Sequence, residues 1–302
     1  MSVIYYREPQ LENPVMIVSW PGIANIGLLA VETLNNQMQT EDLGEIEPME
    51  FFYPRKVLIR DGQLRDLEFP ASKFYYKRLK ERDIIFFIGD EQPVEGGRAY
   101  AEGAKAFKMA SMVIDIAVKF GCHRIYTSGA AVSAIHHTHR PRVWAVPNSH
   151  HLLGEIKNLK NTVLMTEIEE RQGQGSITGL NGLTLGVARQ RGIDAICLMG
   201  EIPVYLQGFP LPYPKATKSV LEVFAEVLGI TLDLSEMDEL VAHSEVETEQ
   251  LFANFPQEVK EQIDKLKTII PAKPAAGPIT EEDKKKILED IDKMFKKEPK
   301  GE

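Results

Sequence analysis

Residues 173–214 constrain the fold more tightly than any other stretch of this chain. They read GQGSITGLNGLTLGVARQRGIDAICLMGEIPVYLQGFPLPYP. Gly179, Gly182 and Gly186 accompany a helical pattern over Leu183 to Gln190, and Gly192 sits where a helix-ending glycine belongs. Ala195 to Met199 is a short apolar run, the pattern of a strand buried on both faces, and Gly200-Glu201 falls where that strand is expected to end. A glycine-rich turn, a helix and a doubly buried strand within forty-two residues point to an open α/β sheet. In such sheets ligands and partners approach the carboxyl ends of the strands.

The rest of the chain repeats the alternation. Val15 to Trp20 reads as a core strand broken by Pro21-Gly22, and Asn25-Ile26-Gly27 leads into the helical LLAVETLNNQM. Lys56 to Arg60 and Leu64 to Phe69 flank Asp61-Gly62, a hairpin signal. Asp83 to Gly89 is a buried strand ending at Asp90-Glu91, and Gly97 to Phe120 a long helix closed by Gly121. His123 to Thr127 reads as a strand followed by the small residues Ser128-Gly129-Ala130-Ala131. Val143 to Val146 and Val163 to Ile168 read as strands, His151 to Leu159 as a short helix, and Pro214 to Leu228 as a helix ended by Gly229. Strands alternating with helices predict a three-layer α/β core with a mostly parallel sheet over residues 1–232. Beyond Asp233, a helix capped by Ser235 and a second starting at Pro256 form a helical pair, 233–270. PAKPAAGP, 271–278, is a stiff linker. Residues 279–302 then form an amphipathic helix with Ile287, Ile291, Met294 and Phe295 on one face. That face needs a cover: the chain's own core, a neighbouring subunit or another protein.

Composition excludes several classes. The net charge of −9 and the absence of a Lys/Arg stripe argue against nucleic acid as a partner. No apolar run approaches the length of a membrane span, and the N-terminus lacks the apolar core of a signal peptide. Two cysteines far apart, Cys122 and Cys197, fit reduced thiols in a cytoplasmic protein.

Four groups could carry chemistry. The loops around Gly22, Asn25 and Gly27, and around Gly179, Asn181 and Gly182, could present backbone N–H groups to an anion. Neither matches a phosphate-loop or GxGxxG pattern. Glu201, held between Gly200 and Pro203, could close a strand-end pocket with both loops, or lock the turn by accepting hydrogen bonds from neighbouring loop N–H groups. Asp90, Glu91, Glu167, Glu169 and Glu170 are further strand-end acids. His136, His137, His139, His150 and His151 cluster, without the spacing of a zinc site; if 135–140 is extended, His137 and His139 share a face and His136 turns away. Arg140-Pro141-Arg142 beside them could bind a carboxylate. Ser128 and Ser133 lack a nucleophile elbow, and Cys197 reads as inert core. No cofactor, metal or catalytic residue is expected from these patterns.

WPGIANIGLLAVETL at 20–34, HTHRPRV at 137–143, GLNGLTLGVARQRGIDAICLMGEIP at 179–203 and the helical tail, in this order, resemble the proteasome assembly chaperone 2 family in its prokaryotic branch. The resemblance implies a phosphorylase/hydrolase-like α/β fold. It also implies a non-catalytic chaperone acting by protein–protein contact, with proteasome subunits as partners where the organism has them. Self-association is expected too, a trimer being one of the sizes open to it. Archaeal relatives carry a C-terminal hydrophobic-Tyr-any ending that enters α-ring pockets; here the last residues are Lys300-Gly301-Glu302. The alternative expectation is a small-ligand binder or enzyme of nucleoside-phosphorylase-like type, built on Gly22, Asn25, Gly27, Gly179, Asn181, Gly182 and Glu201.

Overall fold

The structure, a computed structural model, describes residues 3–94, 101, 103–164, 175–209 and 211–268. In chain order the elements are β1 (Val3–Tyr5), β2 (Val15–Ser19), α1 (Ile26–Gln37), β3 (Glu41–Ile46), β4 (Lys56–Arg60), β5 (Gln63–Glu68), β6 (Ser72–Lys77), β7 (Ile84–Gly89) and α2 (Ala104–Lys119). There follow β8 (Arg124–Ser133), β9 (Val143–Pro147), α3 (Leu153–Ile156), β10 (Thr162–Leu164), α4 (Gly179–Gln190), β11 (Asp194–Pro203), α5 (Pro214–Leu228), α6 (Ser235–Ala253) and α7 (Gln257–Asp264).

Nine strands form one sheet in the order β1-β3-β6-β7-β2-β8-β11-β9-β10. Its centre, β7-β2-β8-β11, is parallel. β6, β3 and β1 extend one side antiparallel; on the other, β9 runs against β11 and β10 runs along β9. β2 shows why the central strands read as continuous apolar runs. Its alternate side chains serve two cores: Val15 and Ile17 pack with α1 and α5, Met16 and Val18 with α2 and α4. Met237 of α6, Phe255, and Val259 and Ile263 of α7 join the α1/α5 core, so the helical pair docks on that layer. β4 and β5 stand apart as a two-stranded ribbon.

Several boundaries differ from those expected, each for a physical reason. β8 and β11 do not stop at Thr127 and Met199. They stay paired as far as Ser133 and Pro203, carrying Ser128 to Ala131 and Gly200-Glu201 inside the sheet. The small residues serve helix approach, not strand termination. A Cβ on Gly27 of α1 would run into the Ser128 backbone, and one on Gly200 would lie 2.9 Å from the Ala216 carbonyl of α5. α4 begins at Gly179, four residues before the expected helix, so Gly182 lies inside it, while Gly179 at its first position holds a positive φ of 77°. α2 starts at Ala104, after Gly103 at φ 87°; residues 97–100 lie outside those described. Ser235 is the first residue of α6, not its cap, and the Asp233 carboxylate accepts the Ser235 N–H at 3.0 Å. The strand expected over 163–168 is described as β10 only to Leu164. Glu167, Glu169, Glu170, the 271–278 linker and the terminal helix with Ile287, Ile291, Met294 and Phe295 lie outside the described residues.

Candidate functional site

The parallel strands β2, β7, β8 and β11 deliver their carboxyl ends to one edge of the sheet, and the candidate residues gather there in three groups.

The first group surrounds Glu201, which is fully buried. Its side chain faces the α2/α4 layer, opposite Gly200. Its Oε1 accepts from Trp144 Nε1 at 2.8 Å, Arg142 Nη2 at 2.9 Å and Ser133 Oγ at 3.2 Å. Its Oε2 accepts from the Arg142 backbone N–H at 2.9 Å and Arg142 Nε at 3.1 Å. Arg142 and Trp144 arrive because β9 runs antiparallel beside β11, with Trp144 opposite Met199. The carboxylate that Arg142 can bind is therefore the chain's own. Glu201 locks β8, β9 and β11 together, as a lock expected from neighbouring loop N–H groups would, through the Arg142 backbone N–H just before β9, and in addition through the side chains of Ser133, Arg142 and Trp144.

The second group joins the two glycine loops. Gly22 and Asn25 are exposed, and the Gly22 N–H donates to Asn25 Oδ1 at 3.4 Å. Ala24 and Asn25 both hold positive φ, 48° and 51°, an unfavourable region for Ala. Gly27 is buried against β8. Gly182 packs so closely on the Ile177 carbonyl that a side chain is excluded. Gln92 ties the loops: its Nε2 donates to the Pro21 carbonyl at 2.6 Å, and its Oε1 accepts the Leu180 N–H at 3.0 Å. Gln92 escaped the sequence reading because one glutamine in a loop carries no pattern. Asn181 is buried over Gly129, and its Oδ1 has no hydrogen-bond partner among the described residues. The structure brings Gly22, Asn25, Gly27, Gly179, Asn181 and Gly182 to one region. The Glu201 hydrogen bonds named above involve neither loop.

The third group is a cleft of about 610 Å³ between the β8–β9 connection, α5 and α6, lined by His137, Tyr213, Lys215, Glu245 and Glu249 among others. His136 and His137 are both buried, with ring centroids 4.1 Å apart, so neither turns outward as an extended segment would require. Phe252 of α6 covers both rings. His137 Nε2 donates to Glu249 Oε1 at 3.0 Å. Tyr205 accepts the His137 backbone N–H and donates its O–H to Nδ1, each at 2.8 Å. This pattern fits a neutral His137. Burial lowers its pKa, opposed by Glu249, and burial with the His137 neighbour takes His136 down to about 4. Lys215 is spent on the His137 and Thr138 carbonyls and on Glu245. Burial raises the Tyr213 phenol, whose oxygen has no partner among the described residues.

Of the remaining candidates, Asp90 and Glu91 pair with Arg55, and Ser128 donates to the Leu198 carbonyl. Cys122 and Cys197 are free and buried, and burial pushes the Cys197 thiol up to about 11. Among the described residues no three His, Cys, Asp or Glu side chains group to hold a metal, and no helix is long and apolar enough to cross a membrane.

Known proteins share this architecture. The model of the PAC2 family matches residues 16–252. An uncharacterized protein of Methanocaldococcus jannaschii is 29% identical over 229 residues, 76% of this chain and 79% of that protein. The crystal structure of Pyrococcus furiosus PbaB, an archaeal proteasome activator, superposes with a TM-score of 0.67 at 26% identity, over 83% of this chain and 98% of that one. Pyrococcus furiosus PbaA, an archaeal homolog of proteasome-assembly chaperone, does so with a TM-score of 0.58 at 21% identity, over 86% of this chain and 97% of that one; at that identity the likeness speaks for the fold.

Proposed function

We propose that this chain, which belongs to the PAC2 family, is a non-catalytic, self-associating chaperone of the cytoplasm that acts by protein–protein contact, with proteasome subunits as its clients. One observation carries the choice between this reading and an enzyme. Glu201, the acid best placed at the sheet edge, is buried and spent on Arg142, Trp144 and Ser133. A general acid or base must reach substrate, and this one reaches only its own sheet. The likeness to the PbaB activator supplies the client class. The working parts are the core, 1–232, the docked helices, 233–270, and a linker, 271–278. A terminal helix, 279–302, meets the partner with Ile287, Ile291, Met294 and Phe295.

A second reading keeps the glycine loops as a small-ligand cradle. It is favoured by the unpartnered Asn181 Oδ1 and by the strained Ala24. A thermal-shift panel of nucleotides, nucleosides and phosphate separates the two. A ligand at a hundred times its Kd adds about 2.7 kcal/mol of stability. The chaperone reading predicts no such shift. A shift abolished by Asn181→Ala would move the function to the loops.

A further inference from the structure

At about 610 Å³, the cleft beside His137 has the volume of a small-molecule site. The β8–β9 connection and the first residues of α5 form one wall, and α6 forms the other. Tyr213 lines the cleft and is 4% exposed, yet its phenol oxygen has no hydrogen-bond partner among the described residues. An orphaned buried hydroxyl is costly unless a group in the cleft completes it. Glu245 lies near enough to act on that phenol electrostatically. Ala242, Val246 and Ala253 give the α6 wall an apolar stretch.

The donors and acceptors around this space set the charge of what it can hold. The charged side chains of the lining are Lys215, Glu245 and Glu249, one cation against two anions. An ammonium has three N–H donors. Lys215 spends them on the His137 carbonyl at 3.1 Å, the Thr138 carbonyl at 3.3 Å and Glu245 Oε1 at 2.7 Å. His137 uses both ring nitrogens, on Tyr205 and Glu249. No charged donor is left for an anion. Glu245 and Glu249 each engage only Oε1 among the described residues, and both are half-exposed. They stand one turn apart on α6, about 5–6 Å between Cβ atoms. The two ammonium groups of a short aliphatic diamine match that separation. We infer that the cleft binds such a diamine. One ammonium sits on Glu245 and the Tyr213 oxygen, the other on Glu249, and the methylenes lie along Ala242 and Val246. Such a ligand bridges the core and α6, and so fastens the helical pair whichever protein the chain contacts.

Equilibrium dialysis of the full chain against labelled 1,4-diaminobutane tests this. It is run at physiological salt, where diffuse attraction to a chain of net charge −9 is screened. Saturable binding of one diamine per chain is expected. Butylamine, with a single ammonium, is expected to bind roughly fivefold more weakly, the worth of one partly exposed ion pair, and succinate not at all. Tyr213→Phe removes an oxygen that bonds to nothing in the fold, so the fold is expected to survive. Its affinity should fall roughly tenfold, the worth of a hydrogen bond to a charged group. Glu249→Gln keeps an acceptor for His137, loses the charge, and should weaken binding roughly fivefold; if it fails to fold, Tyr213→Phe carries the test. No saturable binding, butylamine binding as tightly as the diamine, or unchanged affinity in Tyr213→Phe would each overturn the proposal.

Discussion

Replacing Glu201 by glutamine tests whether this acid is architecture or chemistry. The substitution keeps the shape and removes the charge. Its amide can keep an acceptor toward Trp144, Ser133 and Arg142 Nη2 only by turning its NH2 toward the Arg142 backbone N–H and Nε. Two donors then face a donor. Each buried group so orphaned costs about 1–3 kcal/mol. Breaking one side of a buried ion pair costs about 3–5 kcal/mol. Arg142 keeps a fifth of its side chain in water, which places the total near the lower end, about 3 kcal/mol. For a chain of this length that lowers Tm by roughly 6 °C. Urea unfolding followed by far-UV circular dichroism reads the loss directly. The double variant Glu201→Gln/Arg142→Met removes the stranded cation and is expected to regain part of it. A loss below about 1 kcal/mol with an unchanged slope would refute the reasoning, and would free Glu201 for the strand-end pocket.

Two further outcomes are expected. His136 and His137 are neutral in the fold with lowered pKa values, His136 at about 4. Their contribution is therefore complete above the ordinary histidine value and is lost as pH falls from about 6.5 toward 4. Asn supplies an acceptor where His136 Nδ1 accepts from Thr138, so His136→Asn should flatten the stability profile between those values. Equal slopes in variant and wild type would show that the pair does not titrate in this way. Gly27→Ala drives a methyl into the Ser128 backbone and should cost about 1–3 kcal/mol or more. An unshifted urea midpoint would mean that α1 does not lie so close to β8.

The alternation of strand and helix was legible because β2, β7 and the apolar part of β11 are buried on both faces and read as unbroken apolar runs. β6 was not: SKFYYK alternates buried and half-buried positions, with lysines on the outer side of an antiparallel pair. Strand ends were misplaced where small residues mark helix approach, because Gly200 and Ser128 look like loop residues until α1 and α5 are laid against them. Gly200 and Pro203 on either side mark Glu201 as an acid on constrained backbone. Its partners were not legible, since β9 reaches it only through an antiparallel pairing that no local pattern encodes. The inward turn of both His136 and His137 depends on α6, more than a hundred residues later in the chain.

The central claim, action by protein contact, is tested most directly by native mass spectrometry of the full-length chain mixed with the proteasome α-subunits of its own organism. The account predicts assemblies containing copies of this chain together with α-subunits. Spectra holding only the separate species, from the same preparation in which a nucleotide or nucleoside stays bound to the chain, would contradict it.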